Sequence, residues 1–442
     1  MAEHDDAQAV IDELYSRIGE GSPQPRLQPT RRAMELLGDP QQMFGVVHIT
    51  GSNGKTSTAR MIDSLLRAHG LRAGLMTSPH LTVLNERIVI DGEPVSDDSL
   101  VANYNDIEPF LAMVDTELEG QGEPPLTFFE ALTVLAFACF ADAPVDVAVV
   151  EVGMGGEWDS TNVANADVAV LTAIGLEHVE KLGPTLVDIA RTKSGIVKPA
   201  SRVVCAPQAP EVIDVLVDAC EKNEAPLFVL GRDITLGSIT PGVGGQLIDV
   251  TTPAGSYPQL ALPLLGLHQA ENAALAIAAV EQFLGGGEQS LERDVVSEGL
   301  GQSSSPGRLQ VIASEPSVIV DAAHNPHGAE ALSRAVMSSF QFDTLVVVLG
   351  VLGDKDARGI VEALDPVADY FVVTQPTSDR ARDVADLADT VSQLAGPDRT
   401  SWRGYLGDAI DLAKQQAGPS GGVLITGSAV LVGEAMTIVK GE

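Results

Sequence analysis

Val46-Val47-His48-Ile49-Thr50-Gly51-Ser52-Asn53-Gly54-Lys55-Thr56-Ser57 reads as a buried strand that turns through two glycines and enters a helix. The β-branched run before Gly51 suits a strand covered on both faces. Beyond Ser57, Met61, Ile62, Leu65, Leu66 and His69 recur at helical spacing, and Gly70 supplies a stop. Such a turn is an anion site. The glycines let backbone N–H groups face inward, and the helix N-terminus adds partial positive charge. Lys55 brings a full charge to the outer phosphates of a nucleotide, and Thr56 or Ser57 offers a hydroxyl to Mg²⁺. Only two residues separate Gly51 from Gly54, so the full Walker spacing is not kept. Gly51, Ser52, Asn53, Gly54, Lys55, Thr56 and Ser57 nonetheless form a phosphate loop in type and order.

The rest of the composition sets bounds. A chain of 442 residues exceeds one ordinary core, and 45% hydrophobic residues with 43 Gly and 26 Pro suit a compact α/β protein. The formal charge of −34 repels nucleic acid and anionic membranes, so neither is an expected partner. Cys139, Cys205 and Cys220 stand far apart, without a Cys-x-x-Cys pair, and read as free core thiols of a reducing cytosol. Met1 to Val10 is acidic and lacks an apolar run, so no signal peptide is read there. The apolar stretch Ala131 to Ala141 is too short to span a bilayer. A cytoplasmic monomer is the expectation.

Strands and helices alternate along the chain. Strands are expected at Ala73–Ser78, Asp146–Val152, Asp167–Ile174 and Arg202–Ala206, and helices at Ala7–Ile18, Asp97–Leu118, Thr127–Ala141 and Pro210–Cys220. Pro79 stops the first of these strands. Gly231 to Tyr257 reads as a small antiparallel excursion, and a helix follows from His268 to Leu284. Ser303-Ser304-Ser305-Pro306-Gly307 reads as a linker into a second unit with strands at Val318–Val320, Thr344–Leu349, Tyr370–Thr374 and Gly422–Thr426. The expected fold is α/β. A doubly wound, mostly parallel phosphate-loop domain over 1–302 precedes a smaller Rossmann-like domain over 303–442. Glu151, ending an apolar run, stands where a metal-binding carboxylate belongs. Arg26, Arg31 and Arg32 gather positive charge in an acidic chain, as either a solvated helix start or part of an acidic-substrate pocket. The guanine-reading Asn-Lys-x-Asp motif is absent, which favours ATP over GTP.

Longer motifs carry a resemblance. Ser-Asn-Gly-Lys (52–55), Ser-Pro-His-Leu (78–81), Glu-Arg-Ile (86–88), Thr-x-Phe-Glu (127–130) and Glu-Val-Gly-Met-Gly-Gly-x-Trp-Asp-Ser-Thr-Asn (151–162) occur in that order. His-Gln-x-x-Asn-Ala (268–273), Pro-Gly-Arg (306–308) and Asp-Ala-Ala-His-Asn-Pro (321–326) follow. Together they resemble the folylpolyglutamate synthase/dihydrofolate synthase family of the Mur-ligase superfamily, from about Arg26 to the last strand.

The resemblance implies ATP-dependent amide ligation between a dihydropteroate or reduced-folate carboxylate and L-glutamate, through an acyl phosphate. It implies that Ser78, Glu151 and His178 hold Mg²⁺, with Mn²⁺ substitution open because imidazole is an unusual Mg²⁺ ligand. Asn272, Arg308 and Asp321 would contact ATP, with His324 beside them at the junction between the domains. Arg26, Leu27, Gln28, Thr127, Phe128, Phe129, Glu130, Trp158, Asp159 and Ser160 match the pterin-substrate region. Lys193 matches a lysine that is carbamylated in relatives; Lys55, Lys193, His178 and His324 are the candidate catalytic residues. The chain departs from the family pattern at Ser52, Glu157, Glu177 and the Thr192-Lys193-Ser194-Gly195 run. Glu157 reverses a charge beside the substrate region and bears on substrate preference. A Mur-type ligase of muropeptides and a non-catalytic nucleotide-binding relative are the other readings at this point.

Overall fold

The computed structural model describes residues 6–441. The reading of Met1 to Asp5 therefore lies outside the described residues.

The strand of the phosphate loop is the centre of the larger sheet. In chain order its strands are β1 (Gly45–Thr50), β2 (Ala73–Met76), β3 (Ile88–Ile90), β4 (Glu93–Pro94), β5 (Val147–Glu151), β6 (Val168–Leu171), β7 (Arg202–Cys205) and β8 (Leu227–Val229). They lie side by side as β4-β3-β2-β5-β1-β6-β7-β8, parallel from β2 to β8, with β3 and β4 antiparallel at one edge. Apolar strands are the physical requirement here, since helices cover both faces. Val47 and Ile49 of β1 enter one core with helix Lys55–Ala68 and helix Leu267–Gly285, while Val46 enters another with helix Phe128–Asp142.

The antiparallel excursion is a three-stranded sheet, β9 (Thr235–Gly242), β10 (Gly245–Thr251) and β11 (Ser256–Leu262), laid against helix Leu267–Gly285. The smaller sheet comprises β12 (Gln310–Ser314), β13 (Ser317–Asp321), β14 (Leu345–Leu349), β15 (Tyr370–Val373), β16 (Thr400–Trp402) and β17 (Gly422–Thr426). Its order is β12-β13-β17-β14-β15-β16, parallel except for β12. Short edge strands β8, β12 and β16 and helix Arg293–Gly301 carry weak local patterns and have no counterpart in the sequence reading.

Register then sets the site. Ile49 of β1 pairs with Glu151 of β5, and Met76 of β2 pairs with Val150. The carboxyl ends of β1, β5 and β2 thus deliver Gly51, Glu151 and Ser78 to one crevice, where open α/β sheets bind ligands. Cys139, Cys205 and Cys220 are buried and free.

Candidate active site

Gly51 and Gly54 adopt φ of +148° and +89°, conformations that disfavour any side chain. A Cβ at Gly51 would collide with the Thr172 hydroxyl, and one at Gly54 would lie 2.6 Å from Asn272 Oδ1. Ser52 ties the loop to the segment after β6. Its hydroxyl donates to the Gly175 carbonyl at 2.9 Å and accepts from the Gly175 N–H at 3.0 Å. Lys55 Nζ lies over the loop, donating to the carbonyls of Gly51 (2.8 Å) and Ser52 (3.3 Å).

Thr56 and Ser57, alternatives in the sequence, are separated by the helix. Adjacent positions point about 100° apart. Thr56 Oγ1 donates to both oxygens of Glu151 at 3.0 and 2.9 Å, and the Ser78 N–H donates to one of them at 3.3 Å. Ser57 faces the linker, with its hydroxyl 2.9 Å from that of Ser305. Glu151 is 1% exposed. Burial raises its pKa against the pull of Lys55, Thr56, the Ser78 amide and Arg308. Its direct partners are neutral, and the donor set of carboxylate and hydroxyl oxygens suits a hard divalent cation. Among the described residues no three His, Cys, Asp or Glu side chains converge as a metal cluster. The structure joins Ser78 to Glu151, while no hydrogen bond or ion pair links His178 to either.

Behind the loop, Lys193 is 1% exposed and spends its ammonium on the Gly51 carbonyl and on Glu177 Oε1, both at 2.9 Å. Burial opposes ionisation of Glu177, but Lys193, Lys55 and His178 hold its carboxyl far below the usual range. Burial likewise pulls Lys193 down, with Glu177 opposing. Glu177 was quoted in the sequence only as a departure; its pairing with Lys193 spans too many residues for a local signal. His178 opens helix Val179–Leu182 at φ +46°, and burial with the charge of Lys355 pushes its imidazole down to about 4.

The smaller sheet reaches the same loop. Asn325 caps helix Pro326–Ser339, and its amide exchanges hydrogen bonds with the Asn53 amide at 3.1 and 3.3 Å. Asn53 Nδ2 also lies 2.9 Å from His327 Nδ1. Asn325 and His327 were not assigned from the sequence, although Asn325 stands inside the Asp-Ala-Ala-His-Asn-Pro motif. Asp321 accepts from the Leu309 and Ala323 N–H groups, each at 2.8 Å, and so fixes the Arg308 turn beside it. His324 lies 3.0 Å from the Ala322 carbonyl and, through burial and Lys355, is also pushed down to about 4. Asn272 donates to Gln269 at 3.2 Å and lines the loop at Gly54.

The residues matched to the pterin region divide. Arg26 binds Glu130 through both carboxylate oxygens at 3.0 and 3.1 Å and the carbonyls of Pro124 and Pro125 at 2.9 Å. Glu130 in turn closes a capping box with Thr127. Phe128 stacks on Tyr15 at 5.1 Å, with the Arg87 guanidinium 5.2 Å from its ring. Phe129 lies against Gly153. Leu27 begins helix Gln28–Leu36, whose first residue Gln28 is exposed. Asp159 and Ser160 are buried and hydrogen-bonded within the chain. Asp159 caps residues 160–163, accepting from the Thr161 N–H and hydroxyl and the Met154 N–H, and Ser160 lies 2.7 Å from the Thr133 hydroxyl. Trp158 packs against the core beneath helix Leu186–Ser194, and Glu157 is exposed beside it.

A phosphate loop with a strand-end carboxylate, covered by a second α/β sheet, defines an ATP-dependent ligase of the Mur type. The Mur ligase middle domain family matches residues 49–280, and the Mur ligase glutamate ligase domain family matches 307–429. A Mycobacterium tuberculosis relative named dihydrofolate synthase/folylpolyglutamate synthase is 44% identical, over 94% of this chain and 91% of its own length. A Bacillus subtilis relative of the same name is 32% identical, over 94% and 95%. A solved M. tuberculosis folylpolyglutamate synthase complexed with ADP superposes with a TM-score of 0.93 at 44% identity, covering 98% of each chain. An E. coli FolC structure in complex with DHPP and ADP does so with a TM-score of 0.87 at 27% identity, covering 100% of this chain and 99% of that one. The chain belongs to the folylpolyglutamate synthase/dihydrofolate synthase family, ATP-dependent ligases of folate metabolism.

Proposed function

We propose that this chain joins the amino group of L-glutamate to the carboxyl group of 7,8-dihydropteroate and of reduced folates, converting ATP to ADP and phosphate. One observation carries the reading: Thr56 and Glu151 meet beside a phosphate loop whose Asn53 is hydrogen-bonded to Asn325 of the smaller sheet. The two halves of a ligase site are thereby held against each other. The named relatives favour folate over a muropeptide acceptor.

A carboxylate is a poor acylating group, so its oxygen first attacks the γ-phosphorus. The bond to the β-phosphate oxygen breaks and ADP leaves with that electron pair. The glutamate nitrogen then attacks the acyl carbon, phosphate departs and the nitrogen loses a proton. The loop amides and Lys55 hold the phosphates, and Asn272, Arg308 and Asp321 hold the nucleotide. Thr56, Ser78 and Glu151 would hold Mg²⁺ or Mn²⁺, with His178 as the neutral nitrogen donor that the resemblance implies; the ion would neutralise charge as two anions meet. Arg26 acts on the acceptor region by fixing Glu130 and the Pro124–Pro125 turn. The smaller sheet excludes water from the acyl phosphate.

Carbamylation of Lys193 needs the neutral amine, which burial favours, but the added anion would face Glu177. Intact-mass measurement in bicarbonate tests this, with a gain of one CO₂ expected on wild type and none on Lys193→Arg. We further assign residues 1–302 to ATP binding and 303–442 to glutamate ligation, in a monomer of the cytoplasm. No helix among the described residues is long and apolar enough to cross a membrane.

The test of function is ADP release with Mg²⁺ and L-glutamate, comparing 7,8-dihydropteroate with reduced folates. Turnover with both is expected. Turnover with reduced folates alone restricts the protein to polyglutamylation, and silence with both despite tight ATP binding overturns the proposal.

A further inference from the structure

The segment after Ser78 is gripped from three sides. Glu86 accepts the N–H groups of Leu81 (2.8 Å), Thr82 (3.0 Å) and Val83 (3.0 Å), and the Thr82 hydroxyl as well. This carboxylate makes the turn a stiff unit, because one group satisfies three consecutive amides. His80 Nδ1 accepts from Arg87 Nε at 2.8 Å, and Arg87 is itself held by both oxygens of Glu20 at 2.7 and 3.1 Å.

The third grip crosses between the sheets. Leu81 follows a strand of the larger sheet, yet its side chain packs on the core of the smaller one. It is seated by the linker and by the last helix, Ala429–Lys440. A Cβ at Gly307 would lie 3.0 Å from Leu81 Cδ1 and 2.9 Å from Val432 Cγ1. A Cβ at Gly433 would overlap the Leu81 carbonyl oxygen and lie 2.7 Å from its carbon. That second contact is backbone against backbone, so no rotamer change relieves it. Helix and turn meet at a distance only glycine permits.

We propose that Leu81 is a positioning residue that makes docking of the smaller sheet and assembly of the Ser78–Glu151 cation site a single event. Leu81 lies three residues beyond Ser78. Glu86 clasps Leu81 to Val83, while Arg87 holds the intervening His80 and its carbonyl accepts the Thr77 N–H at 3.1 Å, so Glu86 and Arg87 tie the two ends of the turn together. Moving the last helix therefore moves Ser78 relative to Glu151. The inference rests on the proposed cation site at Thr56, Ser78 and Glu151.

The experiment measures Mn²⁺ affinity of the full-length enzyme–ADP complex, ADP affinity in EDTA, and ligation kinetics, for Leu81→Ala, Gly433→Ala and Glu151→Gln. Leu81→Ala and Gly433→Ala are expected to weaken Mn²⁺ binding about tenfold or more, with kcat falling in parallel, as for other residues that orient metal ligands. ADP affinity in EDTA should fall far less than Mn²⁺ affinity, because the phosphate loop keeps its contacts and only those of the smaller domain are weakened. Leu81→Met, which conserves volume, should restore Mn²⁺ affinity. Wild-type Mn²⁺ affinity in both Leu81→Ala and Gly433→Ala overturns the inference, as does a loss of ADP affinity in EDTA as large as the loss of Mn²⁺ affinity. If Glu151→Gln alone loses Mn²⁺, the cation site stands and the coupling falls. If Glu151→Gln binds Mn²⁺ normally, the site assignment falls, and the coupling with it.

Discussion

At the scale of single residues, a group's burial decides its role. Lys55 and Glu151 were legible in the sequence because each sits at a strand end whose neighbours announce it. The choice of Thr56 over Ser57 was not legible, since only the packed helix shows which hydroxyl faces the carboxylate. Glu151→Gln should cut ligation about 100-fold or more if the residue holds a cation. Its melting temperature should stay level or rise, because a buried carboxylate is costly. Steady-state ADP release and thermal unfolding check both halves. His48 behaves differently. It is fully buried, 2.9 Å from the Thr161 hydroxyl, and burial pushes it down to about 3. The unfolded chain takes up this proton first, so the stability it contributes is present above pH 6.5 and is lost as pH falls. The loss is about 2 kcal/mol between pH 6.5 and 5. Chemical denaturation across that window should show a shallower slope for His48→Gln.

At the scale of elements, strand–turn–helix and helix-capping patterns were the most readable features, being local. Gly51→Ala and Gly54→Ala should each abolish nucleotide binding, since both demand left-handed backbone and both face a neighbouring side chain. Isothermal titration with ADP checks this. The start of helix Phe128–Asp142 carries a capping box that the sequence showed as Thr-x-Phe-Glu, but the Arg26 guanidinium bound to it came from far away. Glu130→Ala removes the half of the capping box in which its carboxylate accepts the Thr127 N–H, and leaves Arg26, whose side chain is 14% exposed, without its main partner. A cost of about 3 kcal/mol or more is expected in urea denaturation. The double variant Arg26→Met/Glu130→Leu should recover part of it.

At the scale of the whole molecule, charge and interdomain contact dominate. A net charge of −34 sets carboxylates against one another, so raising salt from about 10 mM to about 0.2 M should raise the melting temperature. A fall on adding salt would show that ion pairs such as Arg26–Glu130 outweigh the repulsion. The Asn53–Asn325 exchange should give a coupling of about 0.5–3 kcal/mol in a double-mutant cycle on ADP binding. Additive effects would mean that the contact does not join the two sheets energetically.

The sequence by itself determined the phosphate loop, the alternation that builds two α/β sheets, the strand-end acid and the family. Each follows from short spacings, which set how one element faces its neighbours. Tertiary structure alone decided that Lys193 pairs with Glu177, that Asp159 and Ser160 turn inward, and that Leu81 leaves its own sheet for the core of the other. Those pairings depend on strand order and on how the two sheets close together. No local periodicity encodes a contact between residues that only packing brings within reach.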